Sequence, residues 1–275
     1  MKTLYISDLD GTLLNENAEL SEFTVSAINK FTAAGEHFSI ATARTSETVR
    51  HIMRKVNLNA PMILMTGVFA LDPITNKFVM SQRIDRETVF GLINIAEKYK
   101  LSGFLYLDES DHVSTHYTRL DTDQSRSFKT EREQKYGKVF TKCDSFTDLD
   151  IDRTVYFSVC EKRELLDEAV SELRRLSGLN INYFRDVYSD DLWYLDICTS
   201  KASKRSALEY LRKNHGYDRI VAFGDNYNDL PMFEAADVKI AVSNAVDELK
   251  SEATEVIGSN LEDGVAKYLL KQFNK

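Results

Sequence analysis

The stretch YISDLDGTLL, residues 5–14, places two aspartates, Asp8 and Asp10, one residue apart between an apolar run and the pair Gly11-Thr12. Like charges that close repel, so a metal cation or a shared proton must compensate for holding them together. An isolated D-x-D-G-T can also be a plain turn in which Asp caps a loop and Gly takes positive φ. What lies on either side of it decides between these uses.

The run before Asp8, TLYIS, reads as a buried strand. SEFTVSAINKFTAAG follows, with Phe23, Ala27, Ile28 and Phe31 on one helical face and Gly35 as a stop. HFSIAT predicts a second strand, SETVRHIMRKV a second helix and PMILMTG a third strand. The last part of the chain repeats the scheme: strand RIVAFG, a helix from about Asp229, strand VKIAVS, helix AVDELKSEA, strand EVIGS and helix DGVAKYLLKQF. Such alternation predicts an α/β fold, a Rossmann-like, doubly wound parallel sheet with helices on both faces.

The middle of the chain differs. A helical run with Val89, Leu92, Ile93 and Ala96 precedes GFLYLD and HVSTHYT, then a charged stretch from Thr118 to Lys138, then TVYFSVC and LLDEAVSELRRL. This mixture predicts an inserted α+β cap domain at 85–188, entered through SQRIDRE and left through RDVYSDD. Residues 1–84 and 189–275 then form the core domain.

Three strand candidates of the core end in a polar side chain: LYIS in Asp8, FSIA in Thr42 and IVAFG in Asp225. In open parallel sheets ligands bind beyond the carboxyl ends of the strands, so these three residues are expected to converge. GDNYNDLPM adds Asn228 and Asp229, and capping of the helix opened by Pro231 is by itself a sufficient use for Asp229. An oxygen-rich cluster of this kind suits Mg²⁺, which takes few carboxylates and sits beside substrate phosphate. Thr42 offers a hydroxyl and neighbouring N–H groups to an anion. Lys204 stands at the start of a helix, where anions are favoured, although a solvated surface lysine is the simpler reading of that position alone. His112 and His116 lie in a strand-like segment and are read as exposed or structural. Tyr188 and Trp193 are read as packing residues rather than as a sugar-stacking platform.

Composition narrows the classes. Of 275 residues 43% are apolar, and 35 basic against 43 acidic residues give a net charge of −8, which argues against nucleic acid or anionic membrane as partner. No apolar run approaches the roughly 20 residues that cross a bilayer. The apolar run in MKTLYISDLD breaks at Asp8, too early for a secretory leader. A cytoplasmic protein with three reduced cysteines, Cys143, Cys160 and Cys198, is expected.

Taken together, D-x-D-G-T-L, IATAR near residue 42, a lysine before a helix, GDNYNDLPMF and SNLEDGVAKYL resemble the haloacid dehalogenase (HAD) superfamily, specifically its Cof-like, type IIB-capped phosphatases. The resemblance implies a Mg²⁺-dependent phosphohydrolase acting on small phosphomonoesters, sugar phosphates or similar metabolites, through an aspartyl-phosphate. Carried over by motif, Asp8 is the nucleophile and Asp10 the general acid and base, its proton favoured by negative neighbours. Asp8, Asp225 and the Asp10 backbone carbonyl hold Mg²⁺. Thr42, Ala43, Lys204 and Asn228 cradle the phosphate, and Asp229 orients Lys204 or a metal-bound water. The chain departs from the family at Ala43 and Arg205, where Gly is common, and at Thr66, where Asn commonly precedes Gly67. A phosphomutase or phosphotransferase on the same fold and a non-catalytic phosphometabolite binder are the alternatives.

Overall fold

The computed structural model describes residues 1–185 and 192–273. The chain divides into two compact units, Met1–Met80 with Ser203–Lys275, and Ser81–Ala202.

The first unit is built on a five-stranded parallel sheet in the order Glu255–Ile257, Val238–Val242, Arg219–Gly224, Thr3–Ser7, His37–Ile40. The first strand of the chain is therefore central. From it the chain moves to one side through His37–Ile40 and returns on the other through Arg219–Gly224, so a topological switch point lies at the carboxyl end of Thr3–Ser7. A bridge between Ala41 and Ile63 carries the pairing on toward Met62–Leu64, which starts a small three-stranded sheet with Phe69–Asp72 and Lys77–Ser81.

Local chemistry sets the helices. Ser21 accepts from the Thr24 N–H to open Glu22–Ala33, whose Val25, Ala27, Ile28 and Phe31 are buried. This helix packs beside the terminal helix Gly264–Phe273. Ser203 caps Lys204–His215 and Gly216, at φ 66, ends it in the left-handed conformation.

The second unit carries a six-stranded sheet in the order Leu179–Arg185, Leu192–Thr199, Thr154–Lys162, Gly103–Asp108, Val113–Tyr117, Phe140–Lys142. The pairings are antiparallel until the last, which is parallel. Helices Arg86–Lys98 and Arg163–Leu173 pack together over a core that includes Leu92, Leu105, Phe157, Leu166 and Ile197.

One expectation needs correction here. The second unit begins at Ser81 rather than 85 and runs to Ala202, well beyond 188, because Leu192–Thr199 pairs with Thr154–Lys162 and Leu179–Arg185 and cannot leave that sheet. The charged stretch after Thr118 contains a full helix, Asp123–Tyr136, capped by Thr122 and closed by Gly137 at φ 65. Its buried face is so narrow, Ser125 and Phe128, that no apolar period announces it. Tyr188 and most of the exit segment lie outside the described residues. Trp193 packs against the core of its unit beside Tyr183. His112 is exposed against Asp111, and His116 contacts Ser114 within its strand. All three cysteines are free thiols. Among the described residues no helix is long and apolar enough to cross a membrane.

Candidate active site

At the carboxyl end of the central strand the polar strand ends do converge. Asp8 is 4% exposed, and Lys204 donates to its Oδ1 at 2.5 Å. The same ammonium donates to Asp229 Oδ1 at 2.6 Å. Lys204 is 0% exposed, which overturns the surface reading: the helix that Ser203 caps delivers it into the interior, where two carboxylates meet its charge. Asp229 is corrected too. It stands at the helix cap position but makes no side-chain cap to that helix. Its Oδ2 instead accepts from the Asp225 and Asn226 N–H groups, at 2.9 and 3.2 Å.

Carboxylate oxygens of Asp8, Asp225 and Asp229 lie within 4.8 Å of one another, a set able to hold a metal ion. Their occupancy differs. Both Asp229 oxygens are engaged by protein donors, whereas Lys204 takes only one oxygen of Asp8 and Thr12 takes only Oδ1 of Asp225, at 2.7 Å. Asp8 and Asp225 thus keep oxygens for a ligand. Gly11 makes room for this arrangement: at φ +79 it is in the region where a side chain is strained, and a Cβ there would stand 2.3 Å from Asp225 Oδ2.

The electrostatics suit a bound cation. Burial pushes the Asp8 carboxyl well above the usual carboxylate range, with Lys204 pulling it back and Asp229 adding to the rise. Burial also resists charge on Lys204, but Asp8 and Asp229 outweigh it and hold the ammonium protonated. Asp225 is pushed up to about 6 by burial, against the Thr12 hydrogen bond, with Asp229 repelling it further. One ammonium among two buried carboxylates and a half-buried one leaves surplus negative charge, and a divalent cation would neutralise it.

The raised Asp225 value has a measurable consequence. A folded-state pKa above the ordinary 3.8 means that the folded protein binds this proton more tightly than the unfolded chain does. Without metal, stability is then lost as pH rises from about 4 to about 6 and the penalty is complete above that. Asp225→Asn, which keeps an oxygen for Thr12, is expected to be more stable than wild type in chelator at pH 7.5. The gain should be on the order of 1–2 kcal/mol after discounting for solvent screening. Mg²⁺ should raise the melting temperature of wild type only. A variant that melts below wild type in chelator would show that the cost of burying this charge does not govern the residue.

Asp10 does not join the acidic cluster. Its carboxylate is gripped by Arg44, Nε to Oδ2 at 2.8 Å and Nη2 to Oδ1 at 2.6 Å, so its immediate neighbour is a cation and not the negative charge expected. Thr42 is buried and its Oγ1 accepts from the Arg44 N–H at 3.2 Å, while Ala43 and Asn228 are exposed. Arg44, Thr12 and Asn244 were missed as site residues. Thr12 and Arg44 stood inside motifs already singled out. Asn244 had no signal of its own, yet it donates to the Gly11 carbonyl at 2.8 Å and accepts from the Asn260 N–H. Asn260 in turn donates to the Leu14 carbonyl. SNLEDG therefore serves to hold the acidic turn.

Behind Thr42 and Arg44 lies a strained turn. Met65, Thr66 and Gly67 have φ of 49, 55 and 96 in succession. The Met65 and Thr66 N–H groups donate to the Arg44 and Thr42 carbonyls, and a Cβ on Gly67 would meet the Ser203 carbonyl oxygen at 2.1 Å. One turn thus spaces the Thr42 loop against the helix start that carries Lys204. A β-branched residue is ill suited to Thr66's conformation, whereas Asn tolerates it. Thr66→Asn is expected to stabilise by about 1 kcal/mol, read as a melting temperature raised by roughly 2–4 °C. An unchanged or lower value would mean that the Thr66 side chain offsets the strain.

A family model for haloacid dehalogenase-like hydrolases matches residues 5–269. The chain belongs to that family. It is 24% identical to the pyridoxal phosphate phosphatase YbhA of Escherichia coli (strain K12), over 95% of each chain. It is 26% identical to the 5-amino-6-(5-phospho-D-ribitylamino)uracil phosphatase YitU of Bacillus subtilis (strain 168), over 97% of this chain and 96% of that one. Among solved structures, TM0651 of Thermotoga maritima superposes with a TM-score of 0.81 at 24% identity, covering 98% of this chain and 97% of the other. The subclass IIB sugar phosphatase BT4131 gives a TM-score of 0.70 at 19% identity, covering 100% and 99%. These likenesses show the HAD fold, and the family membership makes the chain a hydrolase of the haloacid dehalogenase type.

Proposed function

We propose that this protein is a Mg²⁺-dependent phosphohydrolase of small metabolite phosphomonoesters that works through an aspartyl-phosphate on Asp8. The observation that carries this reading is the buried network in which one lysine, Lys204, bridges Asp8 and Asp229 while Asp225 closes the acidic set. The names of YbhA and YitU support phosphate esters of compact, polar metabolites as substrates.

A carboxylate is a weak nucleophile toward an anionic phosphate, so charge must be cancelled before attack. Mg²⁺, held by the carboxylates of Asp8 and Asp225 and the Asp10 carbonyl, would supply positive charge to the phosphate oxygens and relieve the repulsion within the acidic set. Lys204 adds its own charge from the protein side, and Asp229 keeps its ammonium aimed at Asp8. The free Asp8 oxygen forms a bond to phosphorus as the ester P–O bond breaks, and Asp10 gives its proton to the departing alkoxide. Asp10 then takes a proton from water, the water oxygen bonds to phosphorus, and the bond to Asp8 breaks to release phosphate. Thr42 and the N–H groups beside it offer donors to the phosphate, and Asn228, exposed on its turn, is available to a ligand.

The test is phosphate release from sugar phosphates, pyridoxal phosphate and an aryl phosphate, with Mg²⁺ and with chelator. Metal-dependent release with water as the sole acceptor is expected. Binding of these esters with no release over hours would instead favour a phosphometabolite-binding protein. Transfer of the phosphoryl group to a second hydroxyl would favour a phosphotransferase.

A further inference from the structure

The side chain of Asp10 is 53% exposed, and among the described residues its carboxylate has hydrogen bonds from Arg44 alone. A carboxylate so placed on a turn would ordinarily sample several rotamers. Here two parallel N–H···O bonds from one rigid guanidinium plane define both its position and the tilt of its plane. Arg44 is itself built in: its side chain is 22% exposed, its N–H donates to Thr42 Oγ1, and its carbonyl accepts from Met65 N–H on the left-handed turn. An ion pair this exposed contributes little to stability, so holding the fold together does not account for so firm a mounting.

We propose that Arg44 is the positioning residue of Asp10, a bidentate clamp that holds the carboxylate at the place where it must meet the leaving oxygen in one half-reaction and water in the other. The inference rests on the phosphatase reading above. Both proton transfers occur at one spot beside phosphorus, and a displacement of about 1 Å in such a group costs on the order of 10²-fold in rate. Arg44 acts through Asp10 and is not required to touch the substrate.

A double-mutant cycle with an alkyl phosphate tests this. Arg44→Met should lower kcat by roughly 10²-fold with little change in melting temperature or in inhibition by inorganic phosphate. Asp10→Asn should lower kcat further still, and Arg44→Met added to it should change kcat by less than about twofold, since a clamp has nothing left to hold. Arg44→Lys keeps the charge without the fork and should restore little. Equal factors for Arg44→Met in the presence and absence of Asp10, or weakened inhibition by phosphate, would overturn the inference in favour of direct contact with the substrate. Full activity in Arg44→Lys would also overturn it, by reducing the role to charge. The reading beneath it fails separately, through a wild type that hydrolyses no ester or an Asp10→Asn variant of undiminished rate.

Discussion

Asp8→Asn is expected to lower phosphate release by at least about 10⁴-fold, to the background of the assay, on every ester that the wild type hydrolyses. The substitution removes one thing, the oxygen that would bond to phosphorus, and leaves nearly everything else. The amide has the shape of the carboxylate, and its oxygen can still accept from Lys204, which also keeps Asp229. Burial already favours an uncharged group at this position, so the fold should lose little. The variant should therefore melt close to wild type and still bind inorganic phosphate in the presence of Mg²⁺. Intact protein mass after a rapid quench should reveal a phosphoryl adduct in wild type and none in the variant. Activity within tenfold of wild type in a well-folded Asp8→Asn would remove Asp8 as the nucleophile, whatever the metal dependence.

Lys204→Met should be the most destabilising change at the site. Methionine fills much of the same volume, but Asp8 and Asp229 would then face each other in the interior with no cation between them. Removing one partner of a buried ion pair costs about 3–5 kcal/mol, because the remaining charge keeps its desolvation penalty and loses its compensation. The pH dependence follows from the sign of that penalty. Carboxylates left unpaired would take up protons at higher pH than before, so the variant should recover stability relative to wild type as pH falls toward 5 and lose it again above neutrality. Mg²⁺ should also restore part of the loss. Turnover should fall at least about 10³-fold even where the protein is folded, since a positive charge aimed at the developing negative charge is gone. A Lys204→Met protein as stable as wild type in chelator at pH 8 would mean that the ammonium is not what balances these carboxylates. Thermal melts across pH with and without chelator distinguish the cases.

How much of this was legible beforehand depended on the range of the interaction. Strands that end in Asp8 and Asp225 could be read because a buried parallel strand is a short apolar run, and a polar side chain at its end stands out against it. The helix Asp123–Tyr136 could not, since only Ser125 and Phe128 on it are buried and nearly all the rest is polar or charged. The three-stranded sheet through Phe69–Asp72 and Lys77–Ser81 carries no strong alternation and was missed for a related reason. Leu192–Thr199 looked like the way back to the core, yet it belongs to the second sheet, because strand pairing is decided by partners distant in sequence.

The chemistry divides in the same way. Residue types and spacing along the chain were enough to raise Asp8, Asp10, Thr42 and Asp225, whereas Lys204 and Asp229, locally a surface lysine and a helix cap, gained their roles only through the family resemblance. What each candidate touches was decided by tertiary structure alone. Lys204 is interior, with Asp8 at 2.5 Å and Asp229 at 2.6 Å, and Asp10 is held by Arg44 at 2.6 Å. Burial and charge pairing depend on groups that are neighbours in space, 196 residues apart along the chain for Lys204 and Asp8, and no local pattern records them.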